Sequence, residues 1–228
     1  MIDKAKELAR QAGVLEQITF VKGALEDLSA FDSKSFDLVI SFDAPISYTY
    51  PHQEQVIQEL VRLAGKRIII SVSSRMGYLP YLANPLQKNQ FILDENCGDS
   101  WVRRCVANKD NAVKSFSFDE KAAEKLLAEG LMGGEKEIAE YEQGGAPWCI
   151  TYTFMPDELR DILSRSGVKN IELAGPGAYA RTIPNELLVK IMKDPKQRSD
   201  FLDFCYRYDA NEFVCGMGKD NLLAKGEL

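Results

Sequence analysis

The 228-residue sequence is 45% hydrophobic and 27% charged, which is typical of a globular chain long enough for one large domain. Its formal net charge is -6 and its pI is about 5.0. Because such a chain has no excess of basic residues to neutralise phosphates or anionic headgroups, nucleic-acid and membrane binding are disfavoured. No apolar run approaches the roughly 18 to 20 residues of a membrane span. We therefore expect a cytoplasmic location and a small-molecule ligand.

The cysteines favour neither a disulfide framework nor a zinc site. They are odd in number and form no CxxC pair: Cys97, Cys105, Cys149, Cys205 and Cys215. Free cysteines are usually buried, so reduced, buried thiols and no bound metal are expected.

The first third of the chain alternates helix and strand. Apolar residues at helical spacing from Ile2 to Ala12, capped by Gly13, predict a helix, and Ile18 to Val21 predict a strand. A polar turn follows from Gly23 to Leu28. The FDLVIS run (36–41) is almost wholly apolar, as expected of a parallel strand covered on both faces. A helix that starts near His52 then leads to the strand RIIISV (67–72), which predicts a right-handed parallel unit.

From about Arg75 to Trp148 this alternation is lost, and we predict a mobile helical insertion. Helices are expected at Asp119 to Glu129 and at Glu135 to Tyr141, between the glycine pairs 133–134 and 144–145. Alternation then returns in the following order: a strand at 148–154, a helix that begins at Pro156, Asp157 and Glu158 and ends at Gly167, a strand at 168–173, a helical region at 184–208 and a closing edge strand at Asn221 to Lys225.

Four stretches of this succession are similar to class I S-adenosylmethionine-dependent methyltransferases of the small-molecule group. They read AKELARQAGVLEQITFVKGALEDL, SFDLVISFDAPISY, QVIQELVRLAGKRIIISVSSR and TYTFMPDELRDILSRSGVKNIELAG, in the order that this family uses. The resemblance implies an α/β fold with a Rossmann-like methyltransferase sheet, truncated at its N-terminus. Residues 1–75 and 149–228 would form the core, and residues 76–148 would form a helical lid over the substrate.

The resemblance also implies S-adenosylmethionine as cofactor. In the family, the turn after Gly23 holds the adenine ring and the end of the FDLVIS strand lies under the methionine and sulfonium part. The implied cofactor-binding residues are therefore Gly23, Ala24, Leu25, Glu26, Asp27, Ser41 and Phe42.

Three features depart from the family pattern. The glycine-rich loop, the first strand and the ribose-binding carboxylate would all precede Met1, and the loss of three or four hydrogen bonds of about 1 kcal/mol each would weaken cofactor binding a hundredfold or more. Ala24 stands where the family usually has an aspartate that faces the adenine amino group, which leaves Glu26 or Asp27 to reach it. The turn before the RIIISV strand reads AGKR in place of a proline and paired glycines.

Candidate catalytic residues follow from position and chemistry. His52 is the only histidine, and it is interpreted either as a base or substrate ligand or as a polar residue in the first turn of a helix. Asp43 either faces the sulfonium and acceptor or is a solvated loop carboxylate. The candidate substrate-binding residues are aromatic, and they either line an apolar pocket or form the core of the lid: Tyr48, Tyr78 and Trp101, with Tyr81 beside them. Arg103 and Arg104 either bind an acidic group or lie on a solvated face.

Two functions remain open from the sequence. One is methyl transfer to a small molecule by in-line displacement, in which the protein orients the acceptor and a base is optional. The other is a truncated, catalytically silent binding or assembly module. The family places two further strands between the strand at Ile18 to Val21 and the FDLVIS strand. Their absence predicts either direct pairing of these two strands or, as we favour, a homodimer that covers the open edge.

Overall fold

The computed structural model describes residues 2–83, 120–133, 150–218 and 221–228. Seven α-helices lie in these ranges: α1 (Ile2–Gln11), α2 (Gln53–Leu63), α3 (Arg75–Ala83), α4 (Glu120–Glu129), α5 (Pro156–Arg165), α6 (Asn185–Lys193) and α7 (Pro195–Asp209). Six strands lie there too: β1 (Phe36–Ser41), β2 (Ala64–Ser74), β3 (Leu131–Met132), β4 (Thr151–Phe154), β5 (Lys169–Ala174) and β6 (Asn221–Glu227). The predicted α/β class is confirmed.

Strand β2 is the centre of the sheet. On one edge it pairs in parallel with β1 along most of its length and with β4 at Ser73 and Ser74. On the other edge it pairs antiparallel with β6, which in turn pairs antiparallel with β5. The short strand β3 lies inside the predicted insertion and pairs with β4. The parallel β1–α2–β2 unit is the crossover that the sequence predicts.

The core lies between the sheet and helices α2 and α5. Alternate residues of β2, Ile68, Ile70 and Val72, are at most 1% exposed and meet an apolar stripe on each helix. Val56, Ile57 and Leu60 form the stripe on α2, and Leu159 and Leu163 lie on α5. This helical spacing of apolar residues explains why both segments are helices that pack on the same face of the sheet.

The opposite face of the sheet differs from the prediction. FDLVIS was expected to be covered on both faces, but only Val39 and Ser41 are buried in β1, whereas Phe36, Leu38 and Ile40 are 42 to 52% exposed. Helix α1 does not cover this face of β1, because Ala9 is the only buried residue of the helix. The expectation was wrong because a continuous apolar run does not show whether a second layer of helices exists to cover it.

Two strand predictions are also wrong. Residues 18–24 belong to no helix or strand, and Ile18 and Val21 are 43% and 60% exposed. A β-branched run becomes a strand only when a neighbour pairs with it, and the direct pairing of this segment with FDLVIS does not form. Asn221 to Lys225 was expected to close an edge of the sheet. It continues to Glu227 as β6 and lies between β2 and β5.

The other predicted elements within the described residues are confirmed. Gly13 and Gly167 adopt the left-handed φ expected after a helix, at +70° and +92°. The helical region at 184–208 forms two helices because Asp194 caps the second one, accepting the N–H groups of Lys196 and Gln197 at 2.9 Å. The predicted helix at 135–141 and residues 148 and 149 of the predicted strand lie outside the described residues. The division into core and lid stays a prediction.

The predicted burial of free thiols is confirmed for Cys205 and Cys215; the other three cysteines lie outside the described ranges. Burial raises the pKa of both thiols. Over the parts of the chain that the structure covers, no helix is both long and apolar enough to cross a membrane.

Candidate functional site

The carboxyl end of β1 turns sharply into the next segment. Asp43 and Ala44 both adopt left-handed backbone angles, with φ of +70° and +52°, and a 3-10 turn follows at Pro45–Tyr48. The buried Ser71 holds this turn, because its hydroxyl accepts the Ala44 N–H at 3.0 Å. Consecutive left-handed residues other than glycine are strained, and such strain concentrates at functional sites.

Buried serines line this end of the sheet. Ser41, Ser47, Ser71, Ser73 and Ser74 are each at most 7% exposed. Ser47 Oγ accepts the Ser73 N–H at 2.8 Å, which ties the turn after β1 to the end of β2. Within the described part of the chain, the hydroxyls of Ser41 and Ser73 have no hydrogen-bond partner. The carboxyl ends of β1 and β2 therefore present hydroxyl groups at the edge where ligands of parallel sheets bind.

The polar turn from Gly23 to Leu28 is fastened to α2 by Arg62. The guanidinium of Arg62 donates to the carbonyl oxygens of Leu28 at 3.1 Å and Phe31 at 2.9 Å, and it also pairs with the Glu59 carboxylate at 2.9 Å. Hydrogen bonds with Glu59 raise the pKa of Arg62 further above its ordinary value. The planar guanidinium of Arg62 therefore holds the turn against the end of α2, because its several N–H groups donate to several acceptors at once.

Within this turn the two acidic side chains differ. Asp27 accepts the Ser29 hydroxyl at 2.6 Å and the Ser29 N–H at 3.3 Å, and these hydrogen bonds lower the pKa of Asp27. Glu26 instead lines a cavity of about 250 Å³ together with Leu25, His52, Gln55, Val56 and Glu59. Of the two candidates for the adenine amino group, Glu26 lines this cavity and Asp27 does not.

His52 lies at the first turn of α2, on the rim of this cavity. Its Nδ1 is 3.2 Å from the Gln55 side-chain oxygen. The position agrees with both interpretations of His52, as a polar residue that begins a helix and as a group near a ligand. The structure thus brings Leu25, Glu26 and His52 together.

A second group of side chains lies where β2, β4 and α5 meet. Arg75 donates to the Thr153 carbonyl at 2.8 Å and to the Glu158 carboxylate at 3.0 Å, and the Tyr152 hydroxyl donates to the other oxygen of Glu158. The Tyr50 ring stacks on Tyr152 with centroids 6.1 Å apart. Burial, followed by the hydrogen bond to Glu158, raises the pKa of Tyr152 to about 12. The Tyr152 hydroxyl is therefore a hydrogen-bond donor at neutral pH, not a base.

The remaining predicted residues fall in several places. Phe42 and Asp43 are exposed at the end of β1, and Tyr48 is 43% exposed on the 3-10 turn. Tyr78 is half-buried on α3, which also carries the backbone of Tyr81. Trp101, Arg103 and Arg104 lie outside the described residues. The described contacts do not join Ser41, Phe42 or Asp43 to the cavity beside Glu26, and none of the predicted site residues lines the wider groove of about 760 Å³ beside α5.

Sequence reasoning missed Arg62 and the group of Arg75, Tyr152 and Glu158. Glu158 was recognisable as a residue in the first turn of a helix, where the helix dipole stabilises a carboxylate. Nothing in the sequence paired it with Arg75, which is 83 positions away.

Comparison with known proteins agrees with the N-terminal part of the fold. Residues 1–66, which include β1, α2, the turn at 23–28 and the turn after β1, match the family model described as a methyltransferase domain. The match covers 66 of the 228 residues. For these residues, the resemblance to a methyltransferase that the sequence predicts is confirmed.

Two solved structures are similar to this chain. One is an S-adenosylmethionine-dependent methyltransferase from Thermotoga maritima, described as a possible histamine N-methyltransferase. It is 12% identical with a TM-score of 0.35, and the similarity covers 96% of this chain and 69% of that one. The other is an S-adenosylmethionine-dependent methyltransferase from Mesorhizobium loti. It is 12% identical with a TM-score of 0.38, covering 96% of this chain and 76% of that one. No curated protein matches the chain.

Proposed function

We propose that this chain takes part in methyl transfer from S-adenosylmethionine to a small-molecule acceptor. The observation that supports the proposal is the cavity between the turn at 23–28 and the start of α2. Leu25 and Val56 are apolar walls for a flat ring, and the Glu26 carboxylate is an acceptor for an exocyclic amino group. The volume of about 250 Å³ suits the adenine portion and not a whole cofactor.

The residues at the carboxyl end of β1 would face the methionine end of the same cofactor. Ser41 has a buried hydroxyl without a partner among the described residues, and Phe42 and Asp43 after it are exposed, with Asp43 in the strained turn. The cofactor supplies a methyl group on a sulfonium centre, so the protein mainly has to orient the acceptor and exclude water. The stacked rings of Tyr50 and Tyr152 would offer a flat wall for an acceptor, and Tyr152 would hold its proton as a donor. Tyr48 and His52 would lie near the same acceptor. The acidic net charge supports a small molecule over a nucleic acid, and a cytoplasmic location stays our prediction.

Calorimetric titration with S-adenosylhomocysteine tests the proposal directly. We expect Glu26→Gln to weaken binding about tenfold, because one hydrogen bond to a charged acceptor is lost. Asp27→Asn is the matched control, since the Asp27 carboxylate is engaged with Ser29, and its affinity should stay close to that of the parent chain. The same loss in both variants would contradict the role of Glu26. No binding even at millimolar ligand would contradict a cofactor site in this chain.

The open face of β1 supports a second candidate function, a catalytically silent assembly module. Three exposed apolar side chains on one strand are what an assembly surface presents. A chain that associates through β1 and binds no S-adenosylhomocysteine would favour this function. Binding of the ligand with the selectivity described above would favour methyl transfer.

A further inference from the structure

Strand β1 has an uncovered face and an unpaired edge. Phe36, Leu38 and Ile40, with Phe42 directly after the strand, are 42, 43, 52 and 56% exposed and share one face by their alternation. In the described part of the chain, β1 pairs with β2 alone, so the backbone groups along its outer edge meet no other described strand.

The edge also lacks the features that keep edge strands apart. Proteins usually protect such a strand with lysine, proline or inward-pointing charge. FDLVIS contains neither lysine nor proline, and its one charged residue, Asp37, already pairs with Lys66 at 3.0 Å. An apolar edge strand without protection is a template for another strand.

We propose that β1 pairs antiparallel with β1 of a second copy of this chain, about a two-fold axis at Val39. In this register Phe36 lies opposite Phe42 of the partner subunit, and Leu38 lies opposite Ile40 of the partner subunit. Directly opposed residues in antiparallel strands point to the same face and pack together. The exposed face of each copy thereby continues into the other, and the only charge on the strand, Asp37, faces Ser41 of the partner subunit.

Neighbouring registers satisfy these residues less well. A shift of the axis to Leu38 places Asp37 opposite Val39 of the partner subunit and leaves Phe42 beyond the paired stretch. A shift to Ile40 leaves Phe36 unpaired. Only the axis at Val39 pairs all four apolar side chains with apolar side chains and opposes no like charges, which would be destabilising.

The exposed area agrees with a weak dimer, because it is small and edge-to-edge pairing leaves part of the open face in water. At the stated exposures, the four side chains leave on the order of 400 Å² accessible per copy, about half of what each partner buries in a standard interface. Backbone hydrogen bonds along a six-residue strand and continuity of the sheet across the axis add to this. This surface shares Ser41 and Phe42 with the proposed cofactor site, so the oligomeric state is measured without ligand.

Sedimentation velocity on the full chain at micromolar concentration is the first measurement, and a dimer is the expected result. Ile40→Glu should raise the dissociation constant about a hundredfold, because it places a charge opposite Leu38 of the partner subunit. Leu187→Glu is the matched control, as Leu187 is similarly exposed, at 47%, on α6. The control should remain dimeric.

Two double variants test the register. In L38K/I40E, each introduced lysine lies opposite the partner's introduced glutamate, so dimerisation should recover relative to Ile40→Glu. In L38K/I40K, like charges oppose each other and the chain should be monomeric. A monomeric parent chain would overturn the proposal, and protection of the β1 amides from hydrogen exchange in that monomer would show that another part of the chain covers the strand. A dimer indifferent to all of these changes would place the interface elsewhere.

Discussion

Gly130 is the position at which one added carbon atom should disturb the group of Arg75, Tyr152 and Glu158. It follows α4 with a left-handed φ of +71°, and its carbonyl accepts the Thr153 N–H at 2.7 Å. A Cβ atom added here would overlap Arg75 Nη2 and lie 2.9 Å from the Thr153 carbonyl oxygen. Gly130→Ala therefore combines backbone strain with displacement of the guanidinium.

The expected cost has two parts. Alanine in the left-handed region costs about 1 kcal/mol. Displacing Arg75, whose side chain is 12% exposed, breaks its hydrogen bonds to Thr153 and Glu158, and a hydrogen bond to a charged group contributes about 1.5–3 kcal/mol. Because a displaced guanidinium regains water, we expect a loss of about 3 kcal/mol in the free energy of unfolding for the two parts together.

Gly167→Ala is the matched control. Gly167 also follows a helix with a positive φ, and an added Cβ atom would meet nothing within 4 Å. It should cost about 1 kcal/mol, the strain alone. Urea unfolding separates the two variants, since a difference of about 2 kcal/mol moves the midpoint by roughly 1 M at a typical slope. Equal midpoints would refute the role given to Arg75. In an Arg75→Ala background, the cost of Gly130→Ala should fall towards that of the control.

Two further predictions concern the turn at 23–28 and the titration of Tyr152. Arg62→Met should speed amide exchange in residues 25–33 by on the order of tenfold, whereas Arg165→Met, which removes exposed ion pairs with Asp161 and Glu54, should leave that segment unchanged. Equal exchange in both variants would show that Arg62 does not hold the turn. Glu158→Gln should lower the pKa of Tyr152 from about 12 but not to its ordinary value, because burial is the larger cause. Because the pKa of Tyr152 is higher in the folded state, the protonated hydroxyl contributes to the free energy of unfolding below about pH 10. This contribution is lost as the pH rises towards 12. Tyrosinate absorbance, measured against a Tyr152→Phe chain, checks both statements, and an unchanged pKa in Glu158→Gln would exclude the hydrogen bond.

The local elements were predictable because their signals lie within a few residues. Apolar spacing located α2 and α5, and Pro156 with its acidic neighbours marked the start of α5. The order of strands in the sheet was not predictable in the same way. Asn221 to Lys225 has the composition of an edge strand, yet it lies between β2 and β5, because strand order depends on contacts between segments more than 40 positions apart.

The site was predictable where the chain itself brings residues to a strand end. Residues 41–43 lie at the end of β1, Glu26 precedes β1, and His52 immediately precedes α2. The contacts that fasten these segments were not predictable: Arg62 reaches Leu28 across 34 positions, and Arg75 reaches Glu158 across 83. An arginine in a helix or after a strand has the same sequence signal whether it is solvated or bound to carbonyl groups, so only the fold distinguishes Arg62 from Arg165.

Backbone strain at Asp43 is a further property without a sequence signal, and it separates two roles of this residue. Asp43 has φ of +70° and an exposed side chain, and Ala44 after it is held by Ser71. Asp43→Gly and Asp43→Ala both remove the carboxylate, but only glycine adopts this angle without strain, so the glycine variant should be the more stable by about 1 kcal/mol. Equal urea midpoints would show that the turn is unstrained. If Asp43 acts through its carboxylate, both variants should lose S-adenosylhomocysteine affinity equally; if the fixed turn is what the ligand needs, the more flexible glycine variant should lose more, despite its greater stability.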